Sequence, residues 1–270
     1  MNTYVISGAA SGIGAATRNR LEADGHRVIG IDRPGTGVEV EADLGTPTGR
    51  TEAVRRTGEL APDGIDGLVP CAGIAGFTGT DPALLVSVNY FGAVELATGL
   101  KPLLDRRGSA SVVLLASNSV TCQPGWAADE VVAALLDHDE DAARSAAAGH
   151  EAVNLYPVSK FALASWARRE GVKPEWGGSG IRINAIAPGL IATPMTDELR
   201  KDPVFGPFAD VYPNALGRPG RPEEVAALIA FLLGPDSTLL VGTMILVDGG
   251  TDAILNTVPP RSDDRTTFPS

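Results

Sequence analysis

The sequence predicts an α/β fold: a single Rossmann-type, doubly wound domain, with a parallel sheet of about seven strands and helices on both faces. Three observations predict it. Short apolar runs rich in branched residues alternate with longer stretches of helical period along nearly the whole chain. The first such run opens directly into a glycine-rich turn, Ser7-Gly-Ala-Ala-Ser-Gly-Ile-Gly14, followed by a helical stretch. Repeated strand–helix–strand units then force parallel pairing, because a parallel neighbour needs a crossover that a helix supplies. A length of 270 residues suits one such domain.

The elements follow in order. Thr3–Ser7 reads as a buried strand, and residues 13–23 as a helix with Gly25 as its C-terminal cap. Arg27–Asp32 is the next strand, 50–60 a helix and 67–71 a short strand. Residues 82–104 carry a long helical pattern, and 111–116 (Ser-Val-Val-Leu-Leu-Ala) a buried strand. Residues 156–170 form a helix and 181–186 a strand. Pro222–Leu233 is a helix with Pro in its first turn and Glu223 and Glu224 beside it, which complement the positive end of a helix. Residues 243–247 make the last strand. The domain spans 1–257. Inside it, 123–154 is an insertion rich in Ala and in acids (Asp129, Glu130, Asp137, Asp139, Glu140, Asp141), expected to be helical and surface-facing. The polar, Pro-containing segment 258–270 reads as a flexible tail.

Bulk properties narrow the function. A net charge of −11 argues against nucleic acid and anionic membrane as partners, since both call for a basic face. Two cysteines, Cys71 and Cys122, cannot build a disulfide framework, and a cytoplasmic location fits them. The N-terminus enters a strand without a leader-like segment, and no apolar run approaches the ~18 residues of a membrane span. His26, His138 and His150 have no metal-ligand spacing, so no metal is expected. Trp126, Trp166 and Trp176 read as packing or surface residues.

Two motifs carry chemistry. A glycine-rich turn between a strand and a helix lets backbone approach a pyrophosphate, and the helix N-terminus supplies free N–H groups and a positive dipole end. Gly8, Gly12 and Gly14 are its glycines. Asp32 ends the second strand 18 positions after Gly14, where a carboxylate binds the ribose hydroxyls of an adenosine and repels a 2′-phosphate. NAD(H) is therefore expected over NADP(H), with Arg33 the one neighbour that would favour the phosphate. Asp43 and Leu44 can flank the adenine. The second motif is Tyr156-Pro-Val-Ser-Lys160. A free Tyr, with a pKa near ~10, is a poor base at neutral pH, and a neighbouring ammonium stabilises the tyrosinate. Positions i and i+4 share one helix face, so Lys160 can sit beside the Tyr156 ring and a cofactor ribose. Ser117 follows a buried strand and so falls at the C-terminal edge of the sheet, placed to hold a substrate oxygen. Asn89, in Ser-Val-Asn-Tyr-Phe, can anchor a proton relay to Lys160.

Together these stretches make the chain resemble the short-chain dehydrogenase/reductase family over roughly residues 3–252. Cys71-Ala-Gly73, the run 184–193 (Asn-Ala-Ile-Ala-Pro-Gly-Leu-Ile-Ala-Thr) and Val247-Asp-Gly-Gly250 add to the resemblance. It implies a Tyr156–Lys160–Ser117–Asn89 tetrad. It also implies a cofactor site made of Gly8, Ser11, Gly12, Ile13, Gly14, Asp32, Asp43, Leu44, Cys71, Ala72, Gly73, Tyr156, Lys160, Pro188, Gly189, Ile191 and Thr193, with Ile191 and Thr193 at the nicotinamide carboxamide. Ser7 stands where the family has Thr, and keeps the hydroxyl. Cys71 stands where the family has Asn, and loses a hydrogen bond that ties the sheet together.

Within the family, the resemblance is to bacterial 3-alpha-hydroxysteroid dehydrogenase/carbonyl reductases. It rests on Ala10-Ser-Gly-Ile-Gly-Ala-Ala-Thr-Arg18, Cys71-Ala-Gly73, Ser87-Val-Asn-Tyr-Phe-Gly92, Asp248-Gly-Gly-Thr-Asp-Ala253 and the insertion, which sets Ser117 and Tyr156 39 positions apart. It implies an NAD-dependent interconversion of a secondary alcohol and a ketone, on a hydroxysteroid or other bulky cyclic substrate. A 3-ketoacyl-carrier-protein reductase, a terpenoid alcohol dehydrogenase and a non-catalytic dinucleotide-binding scaffold are the alternatives. The insertion, next to the helices that make the family's tetramer seam, is expected to leave a homodimer, with a homotetramer as the alternative. The segment 195–212 has an apolar side, Met195, Leu199, Val204, Phe205, Phe208, Val211 and Tyr212, suited to a lid over an apolar substrate. Ser117, Ser119, Met195, Phe205 and Phe208 are the expected substrate contacts.

Overall fold

At the centre of the sheet, β1 (Thr3–Ser7) pairs in parallel with β2 (Arg27–Asp32) on one side and β4 (Gly67–Pro70) on the other. This is a computed structural model, and it describes residues 1–258; the flexible tail expected at 258–270 falls, beyond Val258, outside the described residues. With β3 (Val40–Glu41), β5 (Ala110–Leu115), β6 (Ile181–Pro188) and β7 (Met244–Val247), the order across the sheet is β3-β2-β1-β4-β5-β6-β7, all parallel. The chain winds outward in one direction from β1 to β3 and in the other from β4 to β7. The winding reverses between β1 and β4, so their C-terminal ends open the crevice in which such sheets bind ligands.

Both faces of the sheet are covered, which is why the strands read as unbroken apolar runs. Alternate residues serve opposite cores: Val5, Leu68, Val112 and Leu114 in one, Tyr4, Ile6, Val69, Val113 and Leu115 in the other. The first core is closed by α2 (Pro47–Leu60), α4 (Gly92–Asp105) and α8 (Ala152–Gly171), the second by α1 (Gly12–Ala23) and α11 (Pro222–Leu233). Gly25 follows α1 with φ +82°, the left-handed conformation that ends a helix and favours glycine.

Four differences from the sequence reading bear on function. First, the stretch 82–104 is not one uniform helix. α3 (Pro82–Val86) runs into a single π turn, Ser87–Phe91, before α4 begins, and Asn89 lies in that turn. Second, this 24-residue stretch, Pro82–Asp105, is long and apolar enough to cross a bilayer, contrary to expectation. It is two-thirds buried in the core, as a central helix of a folded domain must be. Third, α8 starts at Ala152, so the last residues assigned to the insertion belong to the helix bearing Tyr156. Fourth, the insertion is not merely surface-facing. Its helices α6 (Asp129–Leu136) and α7 (Glu140–Ala147) bury Val131, Leu135, Ala143 and Ala147 completely. These pairs are spaced i, i+4, a narrow stripe, while the acids other than Glu140 take the outer face.

The remaining helices, α9 (Pro194–Lys201), α10 (Gly206–Val211) and α12 (Thr251–Leu255), and the short turn α5 (Ser119–Cys122, in chain order after β5), gather at the C-terminal edge of the sheet. Trp166 and Trp176 pack edge to face in the interior, as expected of packing residues.

Candidate active site

The turn between β1 and α1 is shaped by close backbone approach. A Cβ at Gly8 would lie 2.9 Å from the Ala72 nitrogen, and one at Gly14 would lie 2.1 Å from the Gly8 carbonyl oxygen. Neither position admits a larger residue. The Ser7 hydroxyl accepts the Ala72 N–H at 3.1 Å, joining the ends of β1 and β4 beneath the crevice. Ser11, in extended conformation ahead of α1, makes no side-chain cap, and no acid occupies the first turn. The leading N–H groups of α1, Ile13 and Gly14 among them, are thus left for an outside anion. The Asp32 carboxylate accepts N–H groups from Ala10 (2.9 Å) and Arg33 (2.8 Å), which holds it beside that turn. These residues fit a dinucleotide: tight backbone, open N–H donors, and a carboxylate at the ribose end. Asp43 is exposed, but the Leu44 side chain is only 5% exposed and packs in the core. Its side chain has little surface left for an adenine.

At the other end of the crevice a cleft of about 120 Å³ is lined by Ile13, Cys71, Gly73, Ser117, Tyr156, Lys160, Pro188, Gly189, Ile191, Thr193 and Met195. Helix α8 brings Tyr156 and Lys160 onto one face, with Lys160 Nζ 5.6 Å from the centre of the Tyr156 ring. Lys160 is 5% exposed and donates to the Leu115 carbonyl at 2.8 Å. Burial, which disfavours the charged form, lowers its pKa to about 8. Burial also raises Tyr156, opposed by the Ser117 hydroxyl beside it. Ser117 is fixed in turn, its Oγ accepting the Ser119 N–H at 3.1 Å. Cys71 opens into the same cleft, and burial pushes its thiol up to about 12.

Asn89 is 1% exposed and fully engaged. Its Oδ1 accepts the Ile74 N–H at 2.8 Å, and its Nδ2 donates to the Ile74 carbonyl (3.0 Å) and the Ser159 hydroxyl (3.3 Å). A Cβ at Gly73 would stand 3.2 Å from Asn89 Oδ1 and 3.6 Å from Lys160 Nζ. Gly73 is therefore the gap through which Asn89 and Lys160 face each other, a role its place in Cys-Ala-Gly does not reveal.

On the substrate side the structure brings only some of the expected residues to the cleft. Met195, 39% exposed, lines the cleft. Phe205 is half-buried outside it, and the Phe208 side chain lies outside the described residues. Ser119 contributes its N–H to Ser117, while its own Oγ is buried and has no partner among the described residues. Two contacts unseen in the sequence hold the segment carrying α9 and α10 over the cleft. Asp202 accepts from Thr78 (N 2.8 Å, Oγ1 3.1 Å) and from the Val204 and Phe205 N–H groups (2.9 Å each). Burial pushes the Asp202 carboxyl up, but the N–H donors of Phe205, Thr78 and Val204 outweigh it and hold the pKa at about 2. At the other end, Tyr212 donates to Asn118 Oδ1 at 3.0 Å, and Asn118 Nδ2 donates to Asp248 at 3.4 Å. Among the described residues, no cluster of His, Cys, Asp and Glu is placed to hold a metal ion.

This geometry can couple two transfers. A half-buried phenol beside a buried amine can exchange a proton with a substrate oxygen held at Ser117, while the crevice can seat a dinucleotide against the same cleft. Comparisons with known proteins find related chains. The family profile described as short chain dehydrogenase matches residues 2–128, and the one described as Enoyl-(Acyl carrier protein) reductase matches 141–252. A 3-alpha-hydroxysteroid dehydrogenase/carbonyl reductase of Comamonas testosteroni is 38% identical over 94% of this chain and 98% of its own. A galactitol 2-dehydrogenase (L-tagatose-forming) of Cereibacter sphaeroides is 30% identical over 91% of this chain and 92% of its own. Among solved structures, the 3-alpha-hydroxysteroid dehydrogenase from Pseudomonas sp. B-0831, complexed with NADH, superposes with a TM-score of 0.89 at 40% identity, covering 94% of this chain and 98% of its own.

Proposed function

The chain belongs to the short-chain dehydrogenase/reductase family, and we propose that it is an NAD(H)-dependent enzyme interconverting a secondary alcohol and a ketone on a bulky cyclic substrate of the hydroxysteroid class. The observation that carries this reading is the convergence of Ser117, Tyr156 and Lys160 on one cleft that continues the dinucleotide crevice. The likeness to hydroxysteroid dehydrogenases supports the substrate class.

Gly8, Ser11, Gly12, Ile13 and Gly14 hold the pyrophosphate, and Asp32 holds the adenosine ribose. Cys71, Ala72 and Gly73 form the floor, and Pro188, Gly189, Ile191 and Thr193 bound the nicotinamide. When bound, NAD(H) supplies the hydride acceptor or donor. In oxidation Ser117 orients the substrate hydroxyl, and Tyr156 takes its proton. The Lys160 ammonium stabilises the tyrosinate and binds ribose hydroxyls. Asn89 holds the Ile74 backbone and faces Lys160, which suits a relay that returns the proton to solvent. Tyr156 is half-buried, and the desolvation it suffers raises its pKa, so without nearby positive charge it stays protonated at neutral pH. The site therefore ionises Tyr156 only where cationic partners meet it.

The test is NADH formation at 340 nm with 3-hydroxysteroids, cyclic terpenols and simple secondary alcohols, using NAD and NADP in parallel. Turnover of steroids with NAD, abolished by Tyr156→Phe, is the expected result. Turnover of small alcohols alone would remove the steroid assignment, and unchanged activity in Tyr156→Phe would remove the mechanism. The acidic charge counts against a carrier-protein substrate, whose own acidity calls for a basic docking patch. We also infer a homodimer, because α6 and α7 cover the face formed by α3 and α8. A tetramer by light scattering would refute that. Free Cys71 and Cys122 suit a reducing cytoplasm.

A further inference from the structure

We propose that the insertion acts on the chemistry through Arg144, a positioning residue that braces the π turn carrying Asn89. This deepens the reading above, since it takes Asn89 as part of the proton relay.

A π turn is a weak point in a helix. Its wider ring departs from the i→i+4 ladder, so its shape depends on what surrounds it. Here the turn is Ser87–Phe91, and Asn89 in its middle has every polar atom committed to Ile74 and Ser159. Any drift of the turn moves Asn89 relative to Lys160 across the gap left by Gly73.

The insertion grips this turn at both ends. At the start, Arg144 of α7 donates through one guanidinium nitrogen to the Ser87 hydroxyl at 2.7 Å and to the Ala83 carbonyl at 3.3 Å. Ser87 is fully buried, and its own N–H also bonds Ala83, so Arg144 ties the last turn of α3 to the first residue of the π turn. At the far end, the His138 ring packs 5.4 Å from the ring of Phe91, the last residue of the turn. One turn before Arg144 on α7, Glu140 pairs with the buried guanidinium of Arg50. Arg50 also bonds Glu95 at 2.6 Å, in the first turn of α4, and the Leu44 carbonyl at 3.2 Å. Two side chains of the inserted segment thus meet the π turn itself, and a third, Glu140, reaches α4 through Arg50. None of the three lines the cleft. An insertion serving only to cover a surface would need the apolar stripe of α6 and α7, not a guanidinium directed at a buried serine. Arg144 therefore acts through Ser87 on Asn89.

The experiment measures hydrogen exchange of the 84–92 segment in the cofactor-free full-length protein, together with steady-state kinetics. The variants are Arg144→Met, which keeps the apolar stem without the donors, Arg144→Lys, which keeps one donor, and Asn89→Ala. Loss of one charge-assisted hydrogen bond to a buried hydroxyl should speed exchange at residues 87–91 by about tenfold, equivalent to about 1.4 kcal/mol. In Arg144→Met, kcat should fall by about tenfold while the KM values for coenzyme and alcohol change by no more than about twofold, the mark of an interaction used in the transition state. Arg144→Lys should restore most of the loss in both readouts. Unchanged exchange at 87–91 would overturn the brace, and so would a kcat equal to wild type in Arg144→Met when Asn89→Ala is impaired. Wild-type kcat in Asn89→Ala would instead overturn the catalytic reading of Asn89, and the exchange data alone would then decide the brace. Should Arg144→Met not fold, Ser87→Ala removes the same hydrogen bond from the other side and carries the same expectations.

Discussion

Replacing Lys160 by Met should slow alcohol oxidation most at neutral pH and least at high pH. Lys160 Nζ lies 5.6 Å from the centre of the Tyr156 ring. At that distance two unit charges interact by about 3 kcal/mol with an effective dielectric constant of about 20. At about 1.36 kcal/mol per tenfold, removing the ammonium lowers the ionised fraction of Tyr156 by roughly a hundredfold. Burial places Lys160 at about 8, so the wild-type ammonium is largely present at neutral pH and fades above that value. The deficit of Lys160→Met should therefore be on the order of a hundredfold near neutral pH and shrink as pH rises. The assay is the initial rate of NADH formation at saturating alcohol across the neutral-to-alkaline range, with coenzyme affinity measured separately by fluorescence titration. Unfolding does not confound it. A lysine whose folded pKa lies at about 8, below its unfolded 10.5, binds fewer protons folded than unfolded in that window. Wild-type stability should thus rise with pH between the two values, and Lys160→Met should lack that rise. A rate deficit that is the same at every pH would refute the electrostatic role and leave Lys160 only as a ribose contact.

Three further outcomes follow from contacts elsewhere. Asp32→Asn removes the carboxylate proposed to bind the adenosine ribose and should improve NADPH affinity about tenfold relative to NADH, read by nucleotide fluorescence; an unchanged ratio would move the discrimination to another residue. Glu140→Ala leaves the Arg50 guanidinium, 1% exposed, with Glu95 and the Leu44 carbonyl only, and should cost about 2–3 kcal/mol, lowering Tm by roughly 4–10 °C by calorimetry. Asp202→Ala unties four donors and should expose 194–212 to limited proteolysis. In the wild type this tether, whose carboxyl pKa is depressed to about 2, is complete above the ordinary carboxylate range and is lost only as pH falls through about 2, so protection should be flat through neutral pH.

What the sequence discloses and what it conceals divides along physical lines. The glycine-rich turn and Tyr156–Lys160 are legible because their chemistry depends on spacing within one turn. The strands are legible because burial on both faces leaves no polar alternation. β3 has only two residues and no period to read. The π turn is hidden because Ser-Val-Asn-Tyr-Phe keeps the apolar content of the helices on either side, and one widened ring leaves no compositional trace. The inward face of α7 is hidden because Ala143 and Ala147 contribute little apolar area among the alanines and acids around them. Thr78–Asp202 and Asn118–Tyr212 join residues 124 and 94 positions apart, and only the folded sheet edge brings them together.

Under the proposed mechanism, those long-range contacts separate chemistry from access. Asn89, Lys160 and Ser117 are buried and each is hydrogen-bonded to backbone; Asn89 and Lys160 sit on the covering helices and Ser117 in the loop directly after β5. Met195, by contrast, belongs to a segment held over the cleft by Asp202 at one point and Tyr212 at another. The cleft beneath is about 120 Å³, below the ~300–1,000 Å³ of pockets that take a drug-sized ligand. If 194–212 acts as a lid, a bulky cyclic alcohol enters by displacing that segment, whereas the groups proposed for proton transfer stay in place. If so, loosening the Asp202 tether should change the entry of large substrates far more than of small ones. The KM ratio of a steroid to a short secondary alcohol should shift in Asp202→Ala while kcat for the short alcohol stays near wild type. Equal effects on both substrates would mean that the segment shapes the reacting centre itself rather than guarding it.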